Sequence, residues 1–367
     1  MYCAVSRTWT GGSWRWPHGR GRWRARRWGW RARRWVSSRP GGGPAVRNDD
    51  SEQRCDAGMN ATPLDIGGVM IPTTTPFDPV TGEVDVVALR DNVGRWASSG
   101  VRGMVIGGST GEAVYLDEAE RERSWEVVRG VLPDGMLMVA GTGAESLRTT
   151  LRLTRMAVAR GADAVLVQPP AFYKGAMTPA VVRDHYVAVA DASEVPVILY
   201  QVPTRFSTLD FPTGLIAELS THGNIIGIKD SRGKLETVAE LVTHTQRGFQ
   251  VLVGSGALLY ASLEIGAVGG ILGVANLAPR ECAQVCEHFA AGEMAAAGAL
   301  QKRIGALHNA VVGGMGVAGV KYALDLLGYH GGVPRPPLRP LAEARHGEVV
   351  ACLGSAGLQV RSALAHA

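Results

Sequence analysis

Lysine is scarce in this chain. Its 367 residues include only five, Lys174, Lys229, Lys234, Lys302 and Lys321, and arginine supplies nearly all the positive charge. No apolar run reaches the roughly 18 residues that a membrane-spanning helix needs. None of the five cysteines forms a CxxC pair, and an odd number of them without a secretory signal argues for a reducing cytoplasm rather than a disulfide framework. No GxGxxG follows the first apparent strand, which weakens a dinucleotide-binding reading. The histidines His185, His222, His244, His288, His308 and His330 lie apart on expected helix faces or ends, where packing or surface roles are commonest, so no metal is implied.

The formal charge of +5 is concentrated in one place. Residues 1–58 hold 13 Arg, no Lys, seven of the nine Trp and four acids, leaving a net charge of −4 for 59–367. The remainder gives no reason to expect a nucleic-acid or membrane surface. The Arg/Trp-rich leader has three open readings: translation upstream of a true start at Met59, an organelle transit peptide, or a functional basic tail for nucleic acid or anionic membrane.

From about Gly67 the chain alternates short β-rich apolar runs with amphipathic stretches of helical period. The runs are Val69–Ile71, Gly103–Ile106, Leu137–Ala140, Ala164–Val167, Val197–Tyr200, Ile225–Ile228, Gln250–Val253 and Gly270–Leu272. Glycines such as Gly100, Gly161 and Gly266 punctuate the helix ends. Eight such repeats predict an α/β fold, a (β/α)₈ TIM barrel over 59–290, with a helical C-terminal extension over 291–367. In such barrels chemistry sits at the C-terminal ends of the strands.

That rule singles out Lys229, which follows the run Ile225–Ile228. Arginine would serve an ion pair at lower cost. Lysine can lose its proton and attack a carbonyl carbon, and burial favours the neutral amine. Spacing alone leaves two roles open: a nucleophile, or an ion pair with Asp230 or another carboxylate.

Several segments together resemble a known family. Gly107-Gly108-Ser109-Thr110-Gly111-Glu112, Tyr200-Gln201-Val202-Pro203, Gly227-Ile228-Lys229-Asp230, Gly254-Ser255-Gly256 and Gly269-Gly270-Ile271 are similar, in order, to motifs of the dihydrodipicolinate synthase / N-acetylneuraminate lyase family. The resemblance implies a barrel lyase, usually a dimer of dimers, that joins pyruvate or another 2-oxo acid to lysine as a Schiff base and then makes or breaks a bond to an aldehyde. It implies Lys229 as the Schiff-base lysine and Tyr200 as the proton shuttle beside it. Ser109 and Thr110 match the hydroxyl pair that holds the 2-oxo acid carboxylate and relays protons. Gly254 and Ile271 match pocket-lining positions. Tyr173 matches a tyrosine inserted into the neighbouring subunit's site, although it also reads as a packing aromatic. The imine is its own electron sink, so no cofactor is implied.

The aldehyde is less well defined. Arg205 matches an arginine that holds the carboxylate of aspartate semialdehyde in the synthases, and a guanidinium fork suits that group. Phe206-Ser207, however, stands where the synthases carry Thr-Gly. Ala171-Phe172-Tyr173-Lys174-Gly175, Lys229-Asp230-Ser231 and the segment from Leu326 to Gly332 look instead like 4-hydroxy-2-oxoglutarate aldolases. The synthase is the leading expectation, the aldolase the second, and a sugar-acid lyase the third. Two other classes also compete: a phosphate-binding barrel isomerase, and a non-catalytic barrel with a nucleic-acid-binding leader.

Overall fold

The computed structural model describes residues 64–361, so the leader and its three readings lie outside the described residues. Eight parallel strands close into a barrel in chain order: β1 Gly68–Pro72, β2 Gly103–Ile106, β3 Leu137–Gly141, β4 Ala164–Val167, β5 Val197–Gln201, β6 Ile225–Asp230, β7 Gln250–Val253 and β8 Gly269–Ile271. Helices follow each in turn: α1 Val86–Ala97, α2 Glu118–Arg129, α3 Leu147–Ala159, α4 Pro179–Ala192, α5 Thr213–Leu219, α6 Leu235–His244, α7 Leu259–Glu264 and α8 Pro279–Ala290. Parallel neighbours need such crossovers, and helices on the outer face bury the strands on both sides. That burial explains why the strands read as unbroken apolar runs.

The helix starts have local causes. The Asp85 carboxylate accepts from the Val87 and Ala88 N–H groups, Asp117 and Glu120 form a reciprocal capping box, and Ser146 and Thr178 each cap the third helical N–H. Leu89, Val93, Trp96, Trp125, Leu153 and Tyr186 fill the layer between helices and sheet. A separate inner cluster, including Met70, Val105, Val139, Leu166, Ile198, Leu252 and Ile271, fills the barrel. The interior is therefore packed below its mouth, and the side chains of the last inward layer are the ones left to face a ligand.

Three further helices complete the described chain: α9 Met294–Leu307, α10 Gly314–Leu326 and α11 His346–Ser355. Within the expected C-terminal extension, the sequence suggests helical segments at roughly Met294–Val312 and Val317–Leu327. The structure instead changes to a π-helical turn at His308–Gly313, and Gly316, at φ 65° and ψ −153°, interrupts α10. Only glycine enters that conformation at little cost, so the Gly-rich stretch Gly313–Gly316 is where the regular helix fails. None of the helices among the described residues is long and apolar enough to cross a membrane.

β6 also runs further than its apolar run suggests. Its ladder continues through Lys229 and Asp230 because both neighbouring strands pair with them. Lys229 therefore lies inside a strand held on both sides, not in a loop.

Candidate active site

Register sets the centre of the site. Tyr200 pairs with Lys229 across β5 and β6, and Lys229 pairs with Leu252 of β7. Tyr200 and Leu252 belong to the inner cluster, so the Lys229 side chain shares their inward layer. Both Lys229 and Tyr200 are buried, and Lys229 Nζ lies 4.4 Å from the centre of the Tyr200 ring. The Tyr200 hydroxyl is 3.3 Å from Ser109 Oγ, which belongs to the turn after β2. Three strands thus bring an amine, a phenol and a hydroxyl together.

The ion-pair alternative for Lys229 has no support in the geometry. Asp230 faces the other way, and its carboxylate accepts from Arg232 Nε at 2.7 Å and from the Arg232 backbone N–H at 2.8 Å. Among the described residues Lys229 makes no ion pair, whereas Lys321 pairs with Glu112.

Lys229, Tyr200, Ser109, Thr110, Arg205, Gly254 and Ile271 all line one cavity of about 260 Å³ at the C-terminal mouth of the barrel. Tyr173 does not. It stands 74% exposed on the loop after β4, edge-on to Phe172. No Asp or Glu is among the residues lining the cavity, while Lys229, Arg205 and Arg232 are, so the cavity is suited to anions. Of the two arginines, Arg232 is already saturated: besides Asp230 it reaches Asp210 Oδ1 at 3.1 Å and the Phe211 carbonyl at 3.3 Å. Arg205 makes no ion pair among the described residues and is exposed at the cavity mouth. The loop that carries it is tied down by Gln201, whose amide donates to the Val202 and Leu209 carbonyls and accepts from the Phe211 N–H.

Two glycines serve close approach. A Cβ on Gly254 would lie 1.9 Å from Ser231 Oγ, and one on Gly111 would lie 2.8 Å from the Thr73 carbonyl oxygen. The first lets the loops after β6 and β7 abut beside Lys229, and the second lets the Ser109–Thr110 turn settle on β1.

Sequence reasoning passed over several residues here. His308 looked like one more helix histidine, but it lines the cavity, and so does Ser255. Burial, reinforced by the nearby Arg205 charge, pushes the His308 pKa down to about 4. Glu112 and Lys321 lie behind the Ser109 turn as a buried ion pair. The glycine-rich run around Gly316 was the available signal, because a π-helical turn and a kink in a packed helix often mark a functional wall.

The profile of the dihydrodipicolinate synthetase family matches residues 65–356. The chain belongs to that family. Its relatives within the family include a protein named probable 4-hydroxy-2-oxoglutarate aldolase, mitochondrial, from Emericella nidulans, 36% identical over 74% of this chain and 89% of the relative. A 4-hydroxy-tetrahydrodipicolinate synthase from Acidiphilium cryptum is 34% identical over 79% of this chain and 98% of the relative. Among solved structures, a dihydrodipicolinate synthase from Bacillus anthracis superposes with a TM-score of 0.75 at 28% identity, covering 80% of this chain and 99% of that one. The protein is thus a family lyase of the aldolase type, built on the family's TIM barrel. Synthase and aldolase readings both fit the family.

Proposed function

We propose that this enzyme forms a Schiff base between Lys229 and pyruvate, or a closely related 2-oxo acid, and joins it to or cleaves it from an aldehyde. One observation carries the reading: a buried lysine at the barrel mouth, without a carboxylate partner among the described residues, beside a buried tyrosine. The amine attacks the C2 carbonyl and water leaves, which requires a proton for the departing hydroxyl. Loss of a C3 proton gives an enamine, whose carbon attacks the aldehyde carbon while the aldehyde oxygen takes up a proton. Hydrolysis then frees the lysine. Tyr200 is the proposed shuttle for these protons, with Ser109 as its relay and with Thr110 and the turn N–H groups holding the 2-oxo acid carboxylate. Ile271 and Gly254 shape the cavity walls, and Arg205 holds the acceptor's carboxylate.

Aspartate semialdehyde, the synthase acceptor, is the leading assignment. Glyoxylate, released by cleavage of 4-hydroxy-2-oxoglutarate, is the second, favoured by the relative at 36% identity and by Lys229-Asp230-Ser231. The exposed Phe172, Tyr173, Val114 and Phe206 support a homo-oligomer, a dimer of dimers in which Tyr173 enters a neighbour's site. The described cysteines, Cys282, Cys286 and Cys352, are free thiols, which supports a reducing compartment such as the cytoplasm.

Borohydride trapping with pyruvate, followed by peptide mass mapping, tests the mechanism. The expected result is a reduced pyruvyl adduct on Lys229 that is absent in Lys229→Ala. A folded protein that gives no adduct with any 2-oxo acid refutes the reading. Turnover with aspartate semialdehyde, set against cleavage of 4-hydroxy-2-oxoglutarate, then decides between the two acceptors.

A further inference from the structure

The cavity wall opposite the Ser109 turn carries a hydrogen-bond relay that the proposed chemistry leaves unused. The Gly256 N–H donates to His308 Nδ1 at 3.3 Å, which makes Nδ1 an acceptor. A neutral imidazole that accepts at one nitrogen carries its hydrogen on the other. That other nitrogen, Nε2, lies 3.3 Å from Ser255 Oγ and donates to it. The Ser255 hydroxyl hydrogen is then left without a partner among the described residues, and both side chains line the cavity.

The relay is rigidly built. Gln301 Nε2 donates to the Gly256 carbonyl at 2.8 Å, and the Tyr260 N–H donates to Gln301 Oε1 at 3.0 Å, so Gly256 is anchored through its carbonyl by α9 and α7. A Cβ at position 256 would meet Val274 Cγ1 at 2.5 Å and His308 Nδ1 at 3.3 Å, so glycine is what admits the ring. His308 opens the π-helical turn that displaces this wall from regular helix. Burial and the Arg205 charge keep the ring neutral through the physiological range, which preserves the tautomer.

The barrel order separates this wall from the Ser109 turn. Ser255 follows β7, next to the strand of Lys229 and three strands round from β2, whose turn holds Ser109 and Thr110. With the 2-oxo acid carboxylate at that turn, the wall near Ser255 and Arg205 faces the second substrate. We infer that Ser255 donates a hydrogen bond to an oxygen of the acceptor aldehyde, and that His308 is the positioning residue that aims it. This rests on the proposed imine at Lys229.

The test uses the full-length enzyme and the acceptor identified by the screen above. Ser255→Ala and His308→Ala each raise the KM of the aldehyde about tenfold, the scale of one lost hydrogen bond to a polar or charged oxygen, with the KM of pyruvate near wild type. The double variant is no worse than Ser255→Ala alone, because the two residues act as one relay. His308→Gln, whose amide can place an N–H near the Nε2 position, recovers most of the loss. An unchanged aldehyde KM in Ser255→Ala overturns the inference, as do single-variant effects that multiply. Ser255→Ala carries the decision if His308→Ala fails to fold. Failure of wild-type enzyme to trap pyruvate sinks the Lys229 reading instead, so the two failures are told apart.

Discussion

Lys321 Nζ lies 2.6 Å from Glu112 Oε1, and neither side chain reaches solvent. The contact is an ion pair rather than an aligned hydrogen bond. It fastens α10 to the turn that carries Ser109 and Thr110. Glu112 is the one non-glycine residue with positive φ among the described residues, at 57°, a left-handed conformation that costs energy and must be held by its surroundings. The Arg335 N–H donates to the other Glu112 oxygen at 2.8 Å, and Lys321 also donates to the Val333 carbonyl. Burial lowers the Lys321 pKa, and Glu112 pulls against that shift.

Breaking this pair from one side strands a buried charge. Lys321→Met is expected to destabilise the fold by about 3–5 kcal/mol, read as a lower urea midpoint at unchanged m-value. Enzyme that remains folded should bind pyruvate more weakly, because the Ser109–Thr110 turn loses its backing. A stability loss under about 1 kcal/mol would show that the pair is dispensable to the fold.

The Ser109 and Tyr200 hydroxyls lie 3.3 Å apart, and the proposed mechanism uses them as one proton path. Tyr200→Phe is expected to lower kcat by about 10²–10⁴, the range of general acid–base catalysis, while slow borohydride trapping at Lys229 persists. Ser109→Ala should cost less, and the double variant little more than Tyr200→Phe. Independent, multiplying losses in a steady-state assay would separate the two residues.

Arg205 and Arg232 line the same cavity but differ in what holds them. Arg205→Ala is expected to raise the KM of a carboxylate-bearing aldehyde by about 10–100-fold with little change in melting temperature. Arg232→Ala should act first on stability, since it leaves buried Asp230 unpaired. Equal KM effects from both variants, with unchanged melting, would contradict this division.

His308 makes stability depend on pH in a definite direction. Its folded pKa, about 4, lies below the ordinary 6.5, so the unfolded chain binds the proton first as pH falls. Stability is therefore lost between about pH 6.5 and 4, by up to about 3 kcal/mol, and the loss levels off below 4. His185, buried with Nε2 unpartnered and its pKa lowered by burial, adds in the same direction. Urea unfolding at pH 7 and pH 4.5 should show a smaller difference in His308→Gln than in wild type. Identical differences would show that His308 does not titrate as described.

The amino-acid order by itself determined the repeat. Eight apolar runs alternating with capped amphipathic helices allow few folds other than a closed barrel, because period and capping are local properties. Lys229 stood out for a related reason, because it ends its own apolar run in a chain poor in lysine, whereas Tyr200 was singled out only by its resemblance to the family motif. What the sequence could not show is contact between distant segments. Register put Tyr200 beside Lys229 and turned Asp230 away to Arg232, which removed the ion-pair alternative. The approach of α9 and α10 over the barrel brought His308 to Ser255, 53 positions away, and Lys321 to Glu112. Such pairings depend on how whole helices pack, and no local pattern of residues encodes a contact made only after the barrel has closed.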